Sequence, residues 1–160
     1  MLCLSQTDIY PMNPQYPDLR RLHDFWNEKR GRRRMPAWKD VSVPELRPWL
    51  GHLNLLDVLD GGADFRFRVY GTKIAATFGI DHTGQRVSEL PPSMADVLRS
   101  DYAEVCRTGR PVLVDRQRSA YEDFLRAEKL ILPLSKDDTA PDMLLIGVYD
   151  GKPDRAYPGA

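Results

Sequence analysis

Residues 52–72 have the sequence HLNLLDVLDGGADFRFRVYGT, and this stretch decides the fold. It contains two apolar runs, 52–59 and 65–70, separated by a Gly-containing connection of the kind that joins antiparallel strands. The second run alternates from position to position, as a half-buried strand does. We therefore predict a β-hairpin whose second strand turns inward the face that carries Phe65, Phe67 and Val69.

The first run of this hairpin is apolar on both faces. Leu53 and Leu55 occupy one face, and Leu56 and Val58 occupy the other. A strand of this kind is typical of a sheet centre that is covered from both sides. We expect an additional helix to cover the outer side, where we place Leu56 and Val58.

The segment before the hairpin supplies such a helix. Asp18 is a suitable N-terminal cap and Gly31 a suitable terminator. The apolar positions between them recur at helical spacing, and they are Leu19, Leu22, Phe25 and Trp26. A helix this short is marginal in water unless its stripe is buried. We expect the stripe to pack on its own sheet or on that of a second copy, and we predict a homodimer through these four residues.

The rest of the chain continues the α+β pattern. A short helix is predicted over Thr72–Phe78 and a longer one from Ser93 to Gly109. Three strands are predicted at 112–118, 124–134 and 143–149. The expected organisation is an extended segment over 1–17, a helical extension over 18–50, a domain over 51–150 and a flexible tail over 151–160.

Several short segments resemble a family of bacterial stand-alone PAS-like proteins. They are WNEKRG (26–31), MPAW (35–38), FRVYGT (67–72), DHTG (81–84) and LPL (132–134). The resemblance implies an α+β, PAS-like fold: a five-stranded antiparallel sheet with helices on one face, here with an added N-terminal helix. It also implies a sensory or protein-interaction role, and it supplies no established ligand. Trp38 stands where the family pattern leads us to expect a basic residue.

Composition and charge exclude several classes of protein. The 160 residues are 42% hydrophobic and 29% charged, as in one ordinary globular domain. The 23 basic and 23 acidic residues cancel, so no overall field favours nucleic acid or a membrane surface. We interpret the basic run 29–34 as the solvated end of a helix and a surface that contacts a protein, rather than a phosphate clamp. With no apolar stretch of about 20 residues, we expect a cytoplasmic protein whose cysteines, Cys3 and Cys106, are reduced.

Motifs for catalysis or for a cofactor are absent from the sequence. His23, His52 and His82 are scattered, so we predict no metal site, and neither haem nor flavin is favoured. A nucleophile paired with a base is not apparent either. Among alternatives, the adjacent pair Asp81 and His82 could provide a base for a small α+β enzyme.

The leading hypothesis is a non-catalytic PAS-type sensory module that acts through contacts with a signalling partner, with or without a small-molecule ligand. The alternatives are the Asp81/His82 enzyme and a purely structural interaction domain with a filled core. Any ligand pocket should lie between the inner sheet face and the helices. Its predicted lining is Phe67, Val69, Ile74, Phe78, Tyr102 and Leu132.

Overall fold

The computed structural model describes residues 14–115 and 127–150. Three α-helices are present in this part of the chain: α1 (Pro17–Arg30), α2 (Thr72–Phe78) and α3 (Pro92–Thr108). The strands are β1 (Leu53–Leu59), β2 (Asp64–Val69), β3 (Val112–Val114), β4 (Glu128–Leu134) and β5 (Met143–Tyr149). Short 3-10 helices lie at Trp38–Asp40, Val43–Trp49, Asp60–Gly62 and Val87–Glu89.

The strands form one five-stranded sheet in the order β2-β1-β5-β4-β3. Each neighbouring pair is antiparallel. This arrangement confirms the predicted α+β architecture, with β1 and β2 joined as a hairpin. The central strand β5 is buried along its whole length because the sheet is covered on both faces.

The inner face of the sheet packs against α2 and α3. We call the buried residues on this side the inner cluster. Its members are Leu56, Phe65, Phe67, Tyr70, Ile74, Val87, Leu90, Ala95, Leu98, Tyr102, Val105, Val114, Ala127, Ile131, Leu144, Ile146 and Val148. The apolar stripe of α3 therefore faces the sheet, as its helical spacing predicts.

The outer face of the sheet packs against α1 and the 3-10 helix Val43–Trp49. We call the buried residues on this side the outer cluster. Its members are Tyr16, Leu19, Leu22, Trp26, Met35, Leu46, Trp49, Leu53, Leu55, Leu130, Leu132, Leu134, Met143, Leu145 and Tyr149. The helices thus lie on one face and the added N-terminal helix on the other.

Helix α1 approaches the sheet at a glycine. A Cβ atom at Gly147 would lie 2.7 Å from Cδ2 of Leu19 and 2.8 Å from Cδ2 of Leu22, so only glycine admits the two leucines at this distance. One turn further along, the indole N–H of Trp26 donates to the carbonyl of Pro133 at 2.8 Å. Together these contacts fix α1 to β4 and β5.

The prediction that Val69 faces inward is wrong, because β2 contains a bulge. Leu56 pairs with Phe67 but Leu55 pairs with Val69, so Arg68 is an extra residue. The bulge reverses the alternation beyond Phe67, and Val69 is consequently 50% exposed on the outer side.

The expected faces of β1 are also reversed. Val58 pairs with Phe65, and the side chains of directly opposed residues lie on the same face. Leu56 and Val58 therefore face the inner cluster, whereas α1 shelters Leu53 and Leu55.

Some predictions lie outside the described residues. These are residues 1–13 of the extended segment predicted over 1–17, the ends of two predicted strands within 116–126, and the tail 151–160. Within the described part, no helix has both the length and the apolar character that a membrane span requires.

Candidate functional site

The inner cluster contains a group of aromatic side chains beneath α3 and beside α2. The ring centroids of Phe67 and Tyr70 are 5.3 Å apart and nearly perpendicular. His82 lies 5.8 Å from Phe67 and 5.2 Å from Tyr70, also measured between ring centroids. On the neighbouring side, Tyr102 of α3 meets Phe65 edge-on at 5.3 Å. Such tilted pairs contribute about 0.5–1.5 kcal/mol each beyond the burial of their surface.

Tyr102 is the largest fully buried side chain of the described residues. Burial, with smaller contributions from Asp101 and Tyr70, raises the pKa of its phenol well above the usual range. Among the residues that the structure describes, no hydrogen-bond partner reaches its hydroxyl. A buried hydroxyl of this kind costs about 1–3 kcal/mol unless something else satisfies it.

Asn54 places a second polar group on the same face of the sheet. It pairs with Ile146 of β5, and its Oδ1 accepts a hydrogen bond from the backbone N–H of Gly71 at 3.0 Å. Asn54 is fully buried, and its Nδ2 has no acceptor within 14–115 or 127–150. Sequence reasoning missed this residue, although a lone amide inside an apolar run was the signal for it.

The six predicted pocket residues do not all lie together. The inner cluster contains Phe67, Ile74 and Tyr102, and Phe78 packs against it while remaining half-buried. Val69 is exposed for the reason given above. Leu132 belongs to the outer cluster, because Ile131 is the residue of β4 that points inward. Placing Val69 and Leu132 on the inner side was therefore wrong, while ligand binding by the other four stays a prediction.

Asp81 and His82 have separate environments. The exposed Asp81 accepts hydrogen bonds from the Thr83 hydroxyl (2.6 Å) and the Thr83 backbone N–H (2.9 Å), and these bonds lower the pKa of its carboxyl group. His82 is buried against the aromatic group, and its Nδ1 lies 2.7 Å from Oε1 of Gln85. A carboxylate held in a turn with a lowered pKa is a weak base, so this arrangement does not favour the enzyme alternative.

The predicted interface residues on α1 are used within the chain. Leu19, Leu22 and Trp26 are buried in the outer cluster. Phe25 is half-buried, with its ring centroid 5.4 Å from that of Trp49. Trp38, the departure from the family pattern, packs against the edge of the same cluster. These contacts bury the apolar stripe of α1 against the sheet of its own chain, which is one of the two arrangements expected from the sequence.

The basic run 29–34 overlaps the last residues of α1 and caps the C-terminal end of this helix. Arg33 donates to the carbonyls of Lys29 (2.8 Å) and Arg30 (3.2 Å) and to the Asp40 carboxylate (2.7 Å). The guanidinium of Arg34 donates to the Thr108 carbonyl at the end of α3. Cations placed on the last carbonyls of a helix stabilise it. This geometry agrees with the interpretation of the run as a helix end.

The remaining reactive groups do not form a catalytic or metal centre. In the described ranges, no group of three or more His, Cys, Asp and Glu side chains is arranged to hold a metal ion. Burial raises the pKa of Cys106 to about 11, so this thiol is protonated at neutral pH. Cys3 lies outside the described residues.

A buried carboxylate lies at the start of α1. Glu128, on β4, accepts hydrogen bonds from the backbone N–H groups of Gln15 (3.2 Å) and Tyr16. It thereby supplies the negative charge that a helix N-terminus favours, from a distant part of the chain. Burial is the largest influence on this carboxyl group, and with Asp115 nearby it raises the pKa despite the two hydrogen bonds.

A match to a known protein family covers most of the chain. The PAS domain family profile matches residues 15–149. A similar solved structure is the PAS domain of the histidine kinase ThkA, at 18% identity and a TM-score of 0.46, covering 62% of this chain and 97% of that one. No curated protein matches the chain significantly.

Proposed function

Because the chain belongs to the PAS domain family, whose members are sensory and signalling modules, we propose that it senses without catalysis of its own and signals through protein–protein contacts. In this proposal the inner cluster receives the input, with a small molecule as ligand. The outer cluster and α1 deliver the output to a signalling partner.

The observation that carries this proposal is that the two clusters share strands. Along β5, Leu144 and Ile146 belong to the inner cluster, whereas Leu145 belongs to the outer cluster. Gly147, the next residue, is the point at which α1 contacts the sheet. Protein interiors are close-packed and transmit strain, so a displacement of Ile146 moves the surface on which α1 rests.

Deleting one methylene on the inner side tests this coupling. Ile146→Val removes about 0.5–1.5 kcal/mol of stability, and we expect faster hydrogen exchange of the α1 backbone amides. The matched control is Leu90→Ala, which perturbs the inner cluster from the helix side rather than from the sheet. For each variant, the increase in α1 amide exchange is compared with the loss in the free energy of unfolding. If this ratio is the same in both variants, global unfolding explains the faster exchange, and the proposed coupling between Ile146 and α1 is refuted.

We also propose that the chain forms a homodimer by exchanging α1 between two copies. The interface would be Leu19, Leu22, Phe25 and Trp26, seated on the partner's sheet as they are seated here on their own. An exchange of identical elements reuses existing contacts, so it is a low-cost route to a dimer.

A cysteine pair distinguishes the two arrangements. Leu22→Cys and Gly147→Cys place two thiols where α1 meets β5, and Leu19→Ala in the same chain removes the other methyl group that a Cβ at 147 would strike. Both native cysteines are replaced by serine. Under oxidation, exchanged helices give a covalent dimer and unexchanged helices give an internally cross-linked monomer. Light scattering that shows only monomer for the unmutated protein at high concentration would end the dimer proposal.

A further inference from the structure

We propose that Asn54 and Tyr102 form the polar contacts of a binding site for a small, uncharged ligand that carries a carbonyl oxygen. This inference rests on the proposed sensory function and adds the chemical class of the ligand. The lining predicted from the sequence does not include Asn54. It includes Tyr102, but for its aromatic ring rather than for its hydroxyl group.

The orientation of the Asn54 amide is fixed by chemistry. The N–H of Gly71 needs an acceptor, so Oδ1 of Asn54 must face it, and the observed distance is 3.0 Å. Turning the amide over would leave two donors facing each other. The NH2 group therefore points away from Gly71, and both its hydrogens are available to an oxygen in the core.

Tyr102 brings a second polar atom to the same side from α3. The Gly71 N–H that donates to Asn54 belongs to the residue directly after Tyr70, which is buried in the inner cluster. The ring of Tyr70 lies 5.3 Å from that of Phe67, and the ring of Tyr102 lies 5.3 Å from that of Phe65, two residues along the same face of β2. Among the described residues, both the Asn54 NH2 and the Tyr102 hydroxyl are buried without a hydrogen-bond partner. Native proteins leave on the order of a few buried polar groups per 100 residues without a partner, and a bound acceptor would account for both of these.

The surroundings favour a neutral ligand. The proposed polar contacts are an amide N–H donor and a phenol, and the rings of Phe65 and Phe67 are apolar walls of the same cluster. The phenol of Tyr70 and the imidazole of His82 also belong to this group, and Nδ1 of His82 is engaged with Oε1 of Gln85. Lys129 also faces inward, but it lies on β4, two strands away from Asn54. The residue of β4 level with Asn54 is Ile131, two positions from Lys129. Strand spacing puts the Cα of Lys129 roughly 12 Å from that of Asn54. An anionic or cationic ligand would lose its hydration here without gaining a counter-charge.

Acetophenone is a suitable probe because it is aromatic and uncharged, and because its oxygen only accepts hydrogen bonds. We expect saturable shifts of the Gly71 amide resonance when the folded 160-residue protein is titrated with acetophenone. Benzoate, its anionic analogue, should bind at least tenfold more weakly. Equal affinity for benzoate, or no saturable binding of acetophenone to the folded protein, would overturn the proposal.

Three variants assign the contacts. Tyr102→Phe keeps the ring and removes the hydroxyl, and Asn54→Asp keeps an oxygen for Gly71 while replacing the donor. Each should weaken acetophenone binding by about five- to tenfold, the worth of one net hydrogen bond. The matched control is Tyr149→Phe, which removes a buried hydroxyl of the outer cluster and should leave binding unchanged. Tyr102→Phe keeps the buried ring, so we expect this variant to fold whether or not the ligand site exists. Unchanged affinity for acetophenone in this variant therefore refutes the site.

The same titration separates this inference from the proposed function. The indole N–H resonances of Trp26 and Trp49 report on the outer cluster, because both side chains are hydrogen-bonded there. Binding that shifts these resonances supports the site and the sensory role together. Binding that shifts Gly71 alone supports the site and refutes signalling through α1. Faster α1 exchange in Ile146→Val without any acetophenone binding supports the sensory role and refutes the site.

Discussion

Replacing Gly147 with alanine should loosen α1 from the sheet. The added Cβ would lie 2.7 Å and 2.8 Å from methyl carbons of Leu19 and Leu22, whereas carbon atoms in contact prefer about 3.5–4.0 Å. Both leucines must therefore retreat by about 1 Å. Overpacking of this kind costs typically 1–3 kcal/mol, and alanine recovers about 0.4–1 kcal/mol by restricting the unfolded chain. We expect the free energy of unfolding to fall by about 1–2 kcal/mol.

Denaturant titration followed by tryptophan fluorescence measures this loss. The three tryptophans, Trp26, Trp38 and Trp49, all lie in or against the outer cluster, so their emission reports on the packing of α1. In Gly147→Ala the native emission should shift towards that of exposed indole. In the control Leu90→Ala, which perturbs the inner cluster from the helix side rather than from the sheet, it should not. A Gly147→Ala protein as stable as the unmutated one would refute the close approach between α1 and β5.

Three further predictions concern single groups. Trp26→Phe removes the hydrogen bond to the Pro133 carbonyl and should lower the free energy of unfolding by about 1–3 kcal/mol in denaturant titration, since it leaves a buried acceptor unsatisfied; no loss of stability would contradict this bond. Burial raises the pKa of Glu128 in the folded state above 4.5, so its ionised form is disfavoured there. The unmutated protein should therefore lose stability relative to Glu128→Gln as pH rises above 4.5, and parallel stability curves would disprove the shift. Cys106, whose pKa is raised to about 11, should react with iodoacetamide at pH 7.5 much more slowly than glutathione in the same tube, and equal rates would show an accessible thiolate.

Local patterns predicted most of the elements. The hairpin, the short helix at Thr72–Phe78 and the long helix of the inner side all follow from spacing, caps and glycines that act over a few residues. Gly79 and Gly109 have the left-handed backbone expected of helix terminators.

The faces of the strands were harder to predict because pairing decides them. The bulge at Arg68 depends on how β1 and β2 register, and nothing in the alternation of 65–70 reveals it. The residues around Leu132 in β4 are apolar at successive positions because both faces of this strand are buried. The sequence therefore shows no alternation of polar and apolar residues that would assign Leu132 to one face. The side of Leu56 could have been deduced, since in a hairpin it opposes Phe67.

The candidate site was predicted in its aromatic part only. Phe67 and Tyr102 were expected from hydrophobic periodicity, which says nothing about unsatisfied polar atoms. The role of Asn54 depends on the Gly71 N–H occupying its oxygen, a contact between strand and loop that no local pattern encodes.

The contact between Trp26 and Pro133 joins residues that are 107 positions apart in the chain. During synthesis α1 leaves the ribosome well before strands β4 and β5, which cover its apolar stripe in the folded protein. At about 5–20 residues per second, the apolar stripe of α1 waits roughly 5–20 s for its docking surface. Throughout that interval the nascent chain presents Leu19, Leu22 and Trp26 to the cell, so its folding yield should depend on chaperones that hold exposed apolar helices.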